Sequence, residues 1–541
     1  MKLRAVLPLL GLALVITGCA GLPTGGAPEA FSIETPDSDP PYQTATGPRA
    51  GSGPDQLVSD FLRACQAGAS DDYLVARQYL TPSAAQVWLP EAGSVLVYDA
   101  DEVPRAEVLH DGEVKLSLST RGSLSTEGIF TEAGGTAAEL LFSVEKSDGE
   151  WRISELEDGV VLSRPSFMAA YQAAQLYFLA PTGESLVPDP RWYPRKRLPS
   201  YLVAGLIAGP SDELADAVYN SLSSLSLPTQ GAEVSSEQVI RVSLVGDMYG
   251  GESALEHLAW QVSATLSQVA NATGIEIELN GTLLPHVEPP YGPRLRLDRA
   301  VGIKDGWVVI GDGDRTWGPI DAEQDEPSHP AVGPDAETFV SWIEKGRIRT
   351  FYGGVIEDFP VKSPIPPVVD RWGWTWTAEG KSDQLLALGR GGRRLTLPVD
   401  VAESVSISAL SIAPDGIRVA LISEGTGALT MHMIVRDPSG APVSVGPGVT
   451  IPVDGKVVDA AWSVSTTLAL LVDKDGSSSV LMQPLEGFSW SSSAVPGAVT
   501  ITAGSGSSRI YLQDSDGALS VQAGVLWRPI SSDVLQVKFP G

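Results

Sequence analysis

The stretch Leu410-Ser-Ile-Ala-Pro-Asp-Gly-Ile-Arg-Val-Ala-Leu421 shows the pattern that decides the fold of the C-terminal half of this chain. Two short apolar runs flank Pro414-Asp-Gly416, and Asp and Gly are the usual residues of a tight turn between strands. The stretch therefore predicts a strand, a turn and a second strand.

Similar units recur on both sides of this stretch, at spacings of 44, 36, 50 and 39 residues. A mean period of about 42 residues, with about four strands in each period, is what one blade of a β-propeller requires. A single blade cannot bury its faces alone, so closing a ring completes the core and hides the sheet edges. Residues 293–541 are therefore predicted to form an all-β propeller with five visible blades, and residues 294–319 can supply a sixth. The turns that mark the repeat are Pro334-Asp-Ala, Ala378-Glu-Gly, Pro414-Asp-Gly, Val464-Ser-Thr and Ala503-Gly-Ser.

Residues 166–292 precede the propeller and alternate between strand and helix patterns. Residues 200–211 read as a helix that Gly209-Pro210 ends, and residues 239–245 alternate as a strand. A second helix follows, and Asn280-Gly281 predicts a type I′ hairpin turn. The block resembles the GerMN domain of sporulation and germination proteins, through Ala204-Gly-Leu-Ile-Ala-Gly-Pro-Ser211 and Ile277-Glu-Leu-Asn-Gly281. This resemblance implies an α/β binding or structural module without a catalytic motif.

Residues 55–165 predict an N-terminal α+β domain. An amphipathic helix over residues 55–67 carries Leu57, Val58, Phe61, Leu62 and Cys65 at helical spacing, so Cys65 is predicted to be a buried apolar residue. The pattern then changes to short strands with hairpin signals at Asp111-Gly112 and Asp148-Gly149. The closing strands are similar to those of cone-shaped folds of the nuclear-transport-factor-2 (NTF2-like) type.

The N-terminus has the three zones of an export signal, with Lys2 and Arg4 before an apolar run from Ala5 to Ile16. About twelve apolar residues are too few for a stable transmembrane helix. Ile16-Thr17-Gly18-Cys19 resembles the bacterial lipobox, which implies cleavage between Gly18 and Cys19 and a diacylglyceryl group on the Cys19 thiol. Residues 1–18 are then a signal peptide, and residues 19–54, rich in Gly, Pro, Ser and Thr, are a lipidated tether.

The composition and the motif content of the chain argue against several classes of function. The net charge of −29 argues against a nucleic-acid partner. No metal-ligand spacing, nucleophile motif or cofactor loop is present in the sequence, so no catalytic, metal or cofactor residue is predicted. Trp372, Trp374 and Trp376 alternate, which predicts one strand face that either packs between blades or forms an aromatic platform for a sugar or a partner.

The order of lipobox, tether, α+β domain, GerMN-like domain and propeller is similar to that of the LpqB family of actinobacterial lipoproteins, and Cys19-Ala-Gly-Leu-Pro23 is similar to the start of that family. The resemblance implies a palmitate- and diacylglycerol-anchored protein on the extracytoplasmic face of the cell membrane. It also implies binding to the sensor kinase of the MtrA–MtrB two-component system, in growth and envelope signalling, without enzymatic turnover. Two alternatives stay open: an envelope enzyme that cleaves glycans, since propellers also host hydrolases and lyases, and passive binding to the cell wall.

Overall fold

A computed structural model describes residues 45–68, 72–110, 112–228, 231–286, 298–311, 317–334, 339–400, 406–504 and 509–540. These residues belong to one compact unit, residues 45–541. Gly18, Cys19 and most of the predicted tether lie outside the described residues. Within the described ranges, no helix combines the length and the apolar character that crossing a membrane requires.

The N-terminal part is a curved sheet with helices packed on it. Its strands follow the order β5-β4-β3-β1-β6, β2 pairs with β3, and β1 and β6 are parallel. Helix α1 starts at Pro54 and buries its apolar face against the sheet, where Cys65 is 2% exposed as predicted. The elements are α1 Pro54–Gln66, a 3-10 helix Ala76–Tyr79, α2 Pro82–Val87, β1 Val95–Tyr98, β2 Arg105–His110, β3 Glu113–Leu124, β4 Phe130–Ser147, β5 Glu150–Glu155, β6 Val160–Ser163 and α3 Arg164–Ala170.

The middle part has helices on one side of a small mixed sheet. A long hairpin of β7 and β8 leads into it, and the central strands β11 and β12 are parallel. Asn280 and Gly281 both have left-handed backbone angles, as the predicted type I′ turn requires. The elements are β7 Tyr171–Leu179, β8 Leu186–Pro194, α4 Leu198–Ala208, β9 Leu225–Ser226, β10 Ala232–Val234, β11 Val239–Gly246, α5 Gly251–Leu266, β12 Gly274–Leu279 and β13 Thr282–Leu283.

The C-terminal part consists, within the described residues, of six sheets, which is the larger of the two predicted blade numbers. Five blades follow one another along the chain, and each begins with its innermost strand. The remaining blade has the order β16-β15-β14-β38, so the last strand of the chain is its innermost strand. Consecutive innermost strands β38, β17, β21, β25, β30 and β34 contact one another and close the ring.

The propeller strands fall into blades as follows. The closing blade has β14 Ala300–Lys304, β15 Trp307–Gly311, β16 Trp317–Pro319 and β38 Leu535–Lys538. The second and third have β17 Ser328–Val332, β18 Phe339–Glu344, β19 Arg347–Tyr352, β20 Val355–Pro360, β21 Val368–Val369, β22 Thr375–Ala378, β23 Gln384–Gly389 and β24 Arg393–Pro398. The fourth has β25 Ile407–Ile412, β26 Arg418–Ser423, β27 Leu429–Arg436, β28 Pro442–Val445 and β29 Val449–Ile451. The last two have β30 Lys456–Val464, β31 Thr467–Lys474, β32 Ser477–Pro484, β33 Trp490–Ser493, β34 Ala498–Ala503, β35 Ile510–Asp514, β36 Leu519–Ala523 and β37 Leu526–Ser531.

The three alternating tryptophans do not all lie on one strand. Trp374 and Trp376 are buried in the blade core, but β22 begins only at Thr375 and Trp372 belongs to the preceding turn. The Asp370 carboxylate accepts the backbone N–H groups of Trp372 and Trp374 at 2.9 and 3.0 Å, which bends the chain there.

A buried ion pair links the third and fourth blades. The guanidinium of Arg436 donates to Asp370 at 2.6 Å, and both side chains are fully buried. Arg436 also donates to the carbonyls of Gly416 and Gly440 and lies 4.4 Å from the ring centroid of Trp372. The Arg436 charge is therefore satisfied by a carboxylate, two carbonyls and an aromatic face, which fixes these two blades against each other.

Candidate functional site

One loop of the propeller enters the core of the N-terminal part. Residues 485–489 connect β32 to β33, and Phe488 is 7% exposed because it packs among N-terminal side chains. Its ring centroid lies 4.7 Å from that of Phe130, and the Arg164 guanidinium carbon lies 4.3 Å from the Phe488 centroid. Ser489 donates to the Glu132 carboxylate through its backbone and its hydroxyl, at 3.2 Å each. The loop therefore joins two parts of the molecule with both apolar and polar contacts.

The same loop also contacts the β7–β8 hairpin. The indole N–H of Trp192 donates to the Glu486 carbonyl, and the Gln175 amide donates to the Glu486 carboxylate at 3.3 Å. Burial raises the pKa of the Glu486 carboxyl, which favours its neutral form. The loop is thus the point at which all three parts meet.

The turn in the opening stretch of sequence forms a second contact between the propeller and the hairpin. Asp415 accepts the backbone N–H groups of Ile417 and Arg418 at 2.8 and 3.2 Å and forms an ion pair with the Arg418 guanidinium. Arg418, 1% exposed, also donates to the Pro188 carbonyl on β8 at 2.6 Å. The Asp-Gly turn that defines the strand pair therefore also presents an arginine to the neighbouring part.

Polar and apolar groups continue this second contact on the hairpin side. The buried Asp189 carboxylate accepts from Arg191 at 2.7 Å and from the backbone N–H of Ser211 at 2.8 Å. Next to it, Ile417 and Met433 of the propeller pack in one cluster with Ala180, Val187, Leu214 and Ala217. Because Asp189 has a cation and a backbone donor, its charge is compensated without water.

These contacts surround a cleft of about 860 Å³. Such a volume is in the upper part of the range of ligand sites, which are often found between domains. The Nε–H of Arg418, which lines the cleft, makes no hydrogen bond within the described residues. All three parts contribute to the lining, which includes Arg121, Phe130 and Glu132, then Asp189, Arg191 and Leu214, then Arg418, Met431, Met433, Thr450, Ile451 and Leu485.

A short edge strand forms part of the cleft wall. Strand β29 pairs with β27 and, among the described strands, with no other. Val449 and Thr450 of this strand are exposed, and both line the cleft. An unpaired edge next to mixed polar and apolar side chains can accept an extended peptide as an added strand.

The sequence analysis identified none of these side chains as a binding residue. Of its predicted site, Gly18 and Cys19 lie outside the described residues. Among the described residues no group of His, Cys, Asp and Glu is arranged to hold a metal ion. Asp415 was read only as a turn residue, and Glu486 and Phe488 belong to a connecting loop. The sequence feature that could have indicated this loop is Glu-Gly-Phe at 486–488, which has an aromatic residue in a segment that otherwise has the composition of an exposed loop.

Family models match three consecutive segments of the chain. "Lipoprotein LpqB, N-terminal domain" matches residues 47–168, "Sporulation and spore germination" matches residues 175–285, and "Lipoprotein LpqB beta-propeller domain" matches residues 308–537. The three matches follow the order of the three parts described above and confirm the predicted classes of fold.

Curated relatives match along most of the chain. "Lipoprotein LpqB" of Rhodococcus jostii (strain RHA1) is 30% identical over 526 residues, which cover 86% of this chain and 85% of that protein. "Lipoprotein LpqB" of Nocardia farcinica (strain IFM 10152) is 28% identical over 588 residues, which cover 95% of this chain and 92% of that protein. Among solved structures, TolB from Acinetobacter baumannii shares 13% identity over 55% of this chain and 74% of its own, with a TM-score of 0.36, a likeness too distant to carry a functional argument. On the three domain matches and the near-complete relatives, the chain belongs to the LpqB family of lipoproteins.

Proposed function

We propose that this protein is a lipid-anchored binding protein on the extracytoplasmic face of the cell membrane, and that its partner is the external domain of the sensor kinase of the MtrA–MtrB system. The anchor is the diacylglyceryl group on the Cys19 thiol, which is attached before the bond between Gly18 and Cys19 is cleaved. This proposal rests on the lipobox at residues 16–19 and on the family. Binding, without turnover, is its mode of action, and it needs no cofactor.

One observation carries the binding function: the cleft is built jointly by three parts that are joined through buried contacts. Phe488 in the N-terminal core and the Arg418 contact to Pro188 join the propeller to the other two parts. A wall assembled in this way holds its shape before a partner arrives, which lowers the entropic cost of association. The free edge of β29 supplies backbone groups, and side chains such as Met431 and Leu485 supply apolar contact.

Four acidic residues line the cleft, Glu132, Asp189, Glu213 and Asp454, and three of them form ion pairs. Asp189 is held by Arg191, and Glu132 accepts from Arg121 at 2.9 Å and from Ser489. Glycosidases act with a pair of carboxyl groups that face the scissile bond, whereas Asp189 and Glu132 are each already bound to an arginine. The cleft therefore suits recognition of a polar chain, with an envelope glycan as the second candidate ligand because the lining is both polar and apolar.

A pull-down of the unlipidated chain against the purified external domain of the sensor and against peptidoglycan tests the proposal. We expect retention on the sensor domain and a large loss with Thr450→Arg, which places a long cation in the cleft without disturbing a buried contact. Thr396→Arg is the matched control, because Thr396 is also an exposed strand residue of the propeller but does not line the cleft. Equal retention of both variants would place the contact elsewhere. Retention on peptidoglycan alone, or release of soluble fragments from it, would favour the glycan alternatives.

A further inference from the structure

A second cavity, of about 370 Å³, lies where the N-terminal part meets the link between β8 and α4. Three cations and two carboxylates line it, in a chain whose 66 acidic residues far outnumber its 37 basic ones. The lining residues are Asp72, Tyr73, Arg77, Pro90, Glu91, Lys196 and Arg197. Because Arg195 precedes Lys196 and Arg197, three successive basic residues border this cavity, which makes it a local exception to the acidic character of the chain.

Two of the three cations of this cavity, Lys196 and Arg197, lie at the surface in weak pairs. The third, Arg77, is half-buried and donates to the Trp88 carbonyl at 3.0 Å. Lys196 contacts Asp72 at 2.6 Å, with 52% and 62% of the two side chains exposed. Arg197 lies 3.6 Å from Glu91 and is 64% exposed. Exposed ion pairs contribute little to stability, so these cations can exchange their partners for an external anion at small cost.

Exposed aliphatic side chains lie close in sequence to residues that line the cavity. Leu74, which follows the lining residue Tyr73, is 65% exposed, and Leu89, which precedes Pro90, is 52% exposed. Val87, at the end of α2, is 72% exposed. We call these side chains, together with the exposed Lys196 and Arg197, the basic-aliphatic surface. Large apolar side chains clustered next to cations are the composition of surfaces that lie on anionic membranes.

The tether joins the folded part next to this surface. The Tyr79 hydroxyl donates to the Thr46 carbonyl at 2.7 Å, and Tyr79 belongs to the 3-10 helix that also carries Arg77. Cys19 precedes Thr46 by 27 positions in the sequence. This step rests on the proposed lipidation of Cys19, whereas the charge and exposure of the surface do not.

We propose that the basic-aliphatic surface docks on anionic phospholipid. Lys196 and Arg197 contact headgroup phosphates, and Leu74, Val87 and Leu89 enter the boundary between the headgroups and the acyl chains. A lipid anchor alone leaves the folded part free to rotate about its tether. Docking at this surface would hold the N-terminal part against the membrane and fix the direction in which the propeller points.

Co-sedimentation with lipid vesicles tests the proposal. The protein used is residues 20–541, which is the mature chain without its acylated cysteine. The vesicles are phosphatidylcholine alone and phosphatidylcholine with about a third phosphatidylglycerol. We expect binding to the anionic vesicles that weakens with salt. Lys196→Ala should weaken it about fivefold, the effect of one basic residue near such a surface, and Leu74→Ser should weaken it severalfold.

Two variants serve as matched controls. Lys474, like Lys196, is an exposed lysine paired with an exposed aspartate, Asp454, and Val525 is 82% exposed on the propeller. Lys474→Ala and Val525→Ser should bind as the unchanged chain does, and all four variants should keep its melting temperature.

Two results would overturn the proposal. One is equal binding to neutral and anionic vesicles, and the other is an equal loss in the control variants. A third outcome would also refute the lipid assignment. If no chain binds vesicles, and Lys196→Ala and Leu74→Ser abolish retention on the sensor domain or on peptidoglycan, the surface belongs to a protein or wall partner. Because the acyl anchor is absent from the assay, failure here would leave the proposed lipidation and the cleft intact.

Discussion

Replacing Phe488 by alanine should loosen the N-terminal part from the propeller. Phe488 is a propeller residue in sequence, yet its ring is buried in the N-terminal core, with Phe130 at 4.7 Å and Phe167 at 6.3 Å between ring centroids. The substitution removes this ring and leaves the polar contacts of the loop, from Trp192 to Glu486 and from Ser489 to Glu132, in place.

The magnitude follows from burial. Truncating a buried phenylalanine to alanine costs about 3–5 kcal/mol, from the lost transfer free energy and the cavity that remains. Edge-on aromatic pairs and the Arg164 contact at 4.3 Å are each worth about 0.5–1.5 kcal/mol, and they are part of that total. Because Phe488 belongs to a propeller loop and its ring packs in the N-terminal core, losing the ring mainly weakens the coupling between these two parts. We therefore expect the N-terminal part to unfold separately, at a lower temperature than the propeller.

Differential scanning calorimetry measures this separation. Phe359→Ala is the matched control, since Phe359 is 4% exposed and packs with Ile348 and Leu386 inside the propeller. It should lower the stability of the propeller without separating an N-terminal transition. The reasoning is refuted if Phe488→Ala lowers the free energy of unfolding of the N-terminal part by less than about 1 kcal/mol, or if Phe359→Ala produces the same separation.

Three further predictions concern the anchor, the loop and the propeller. Cys19→Ser should abolish incorporation of a fatty-acid analogue in metabolic labelling, because a serine hydroxyl lacks the nucleophilic thiol; equal incorporation would contradict this. The raised pKa of Glu486 means that the native protein binds this proton more tightly than the unfolded chain does. The protonated Glu486 therefore contributes its full stabilisation below the ordinary glutamate pKa, and this contribution is lost as the pH rises through the raised value. Glu486→Gln should therefore flatten the stability profile above about pH 4, where an ordinary glutamate loses its proton, and an unchanged slope in urea titrations would exclude this carboxyl as its source. Asp370→Ala should lower the free energy of unfolding by about 3–5 kcal/mol in denaturant titrations, because it leaves the Arg436 charge buried without its carboxylate. Asp370→Leu combined with Arg436→Met should recover most of that loss. No recovery would show that the other contacts of Asp370 dominate.

Local patterns predicted the classes of fold because each depends on residues close together in the chain. The Asp-Gly turn at 415–416 joins the paired strands β25 and β26, and the spacing of the five turn motifs was sufficient to predict blades. The apolar stripe that includes Phe61 and Cys65 likewise predicted the buried face of α1. The error at Trp372 has a local cause as well, since the bend depends on the Asp370 side chain capping two backbone N–H groups.

The cleft could not be predicted because its parts are remote in sequence. Phe488 meets Phe130 across 358 positions, and Arg418 meets Pro188 across 230. No periodicity relates such residues, and a loop phenylalanine has the same local signature whether it is exposed or inserted into another core. Only the three-dimensional arrangement of the parts decides which loop residues become buried.

The order of the closing blade places a constraint on the timing of folding. Strand β14 begins at Ala300, but its innermost neighbour β38 is made of Leu535–Lys538, almost at the end of the chain. During synthesis the five blades from β17 to β37 can form as they emerge, while the gap beside β14 must wait for residues 535–538. Until then the inner edge of β14 stays open to pairing with another molecule. A chain that stops a few residues early therefore risks aggregation far more than its small loss of mass suggests.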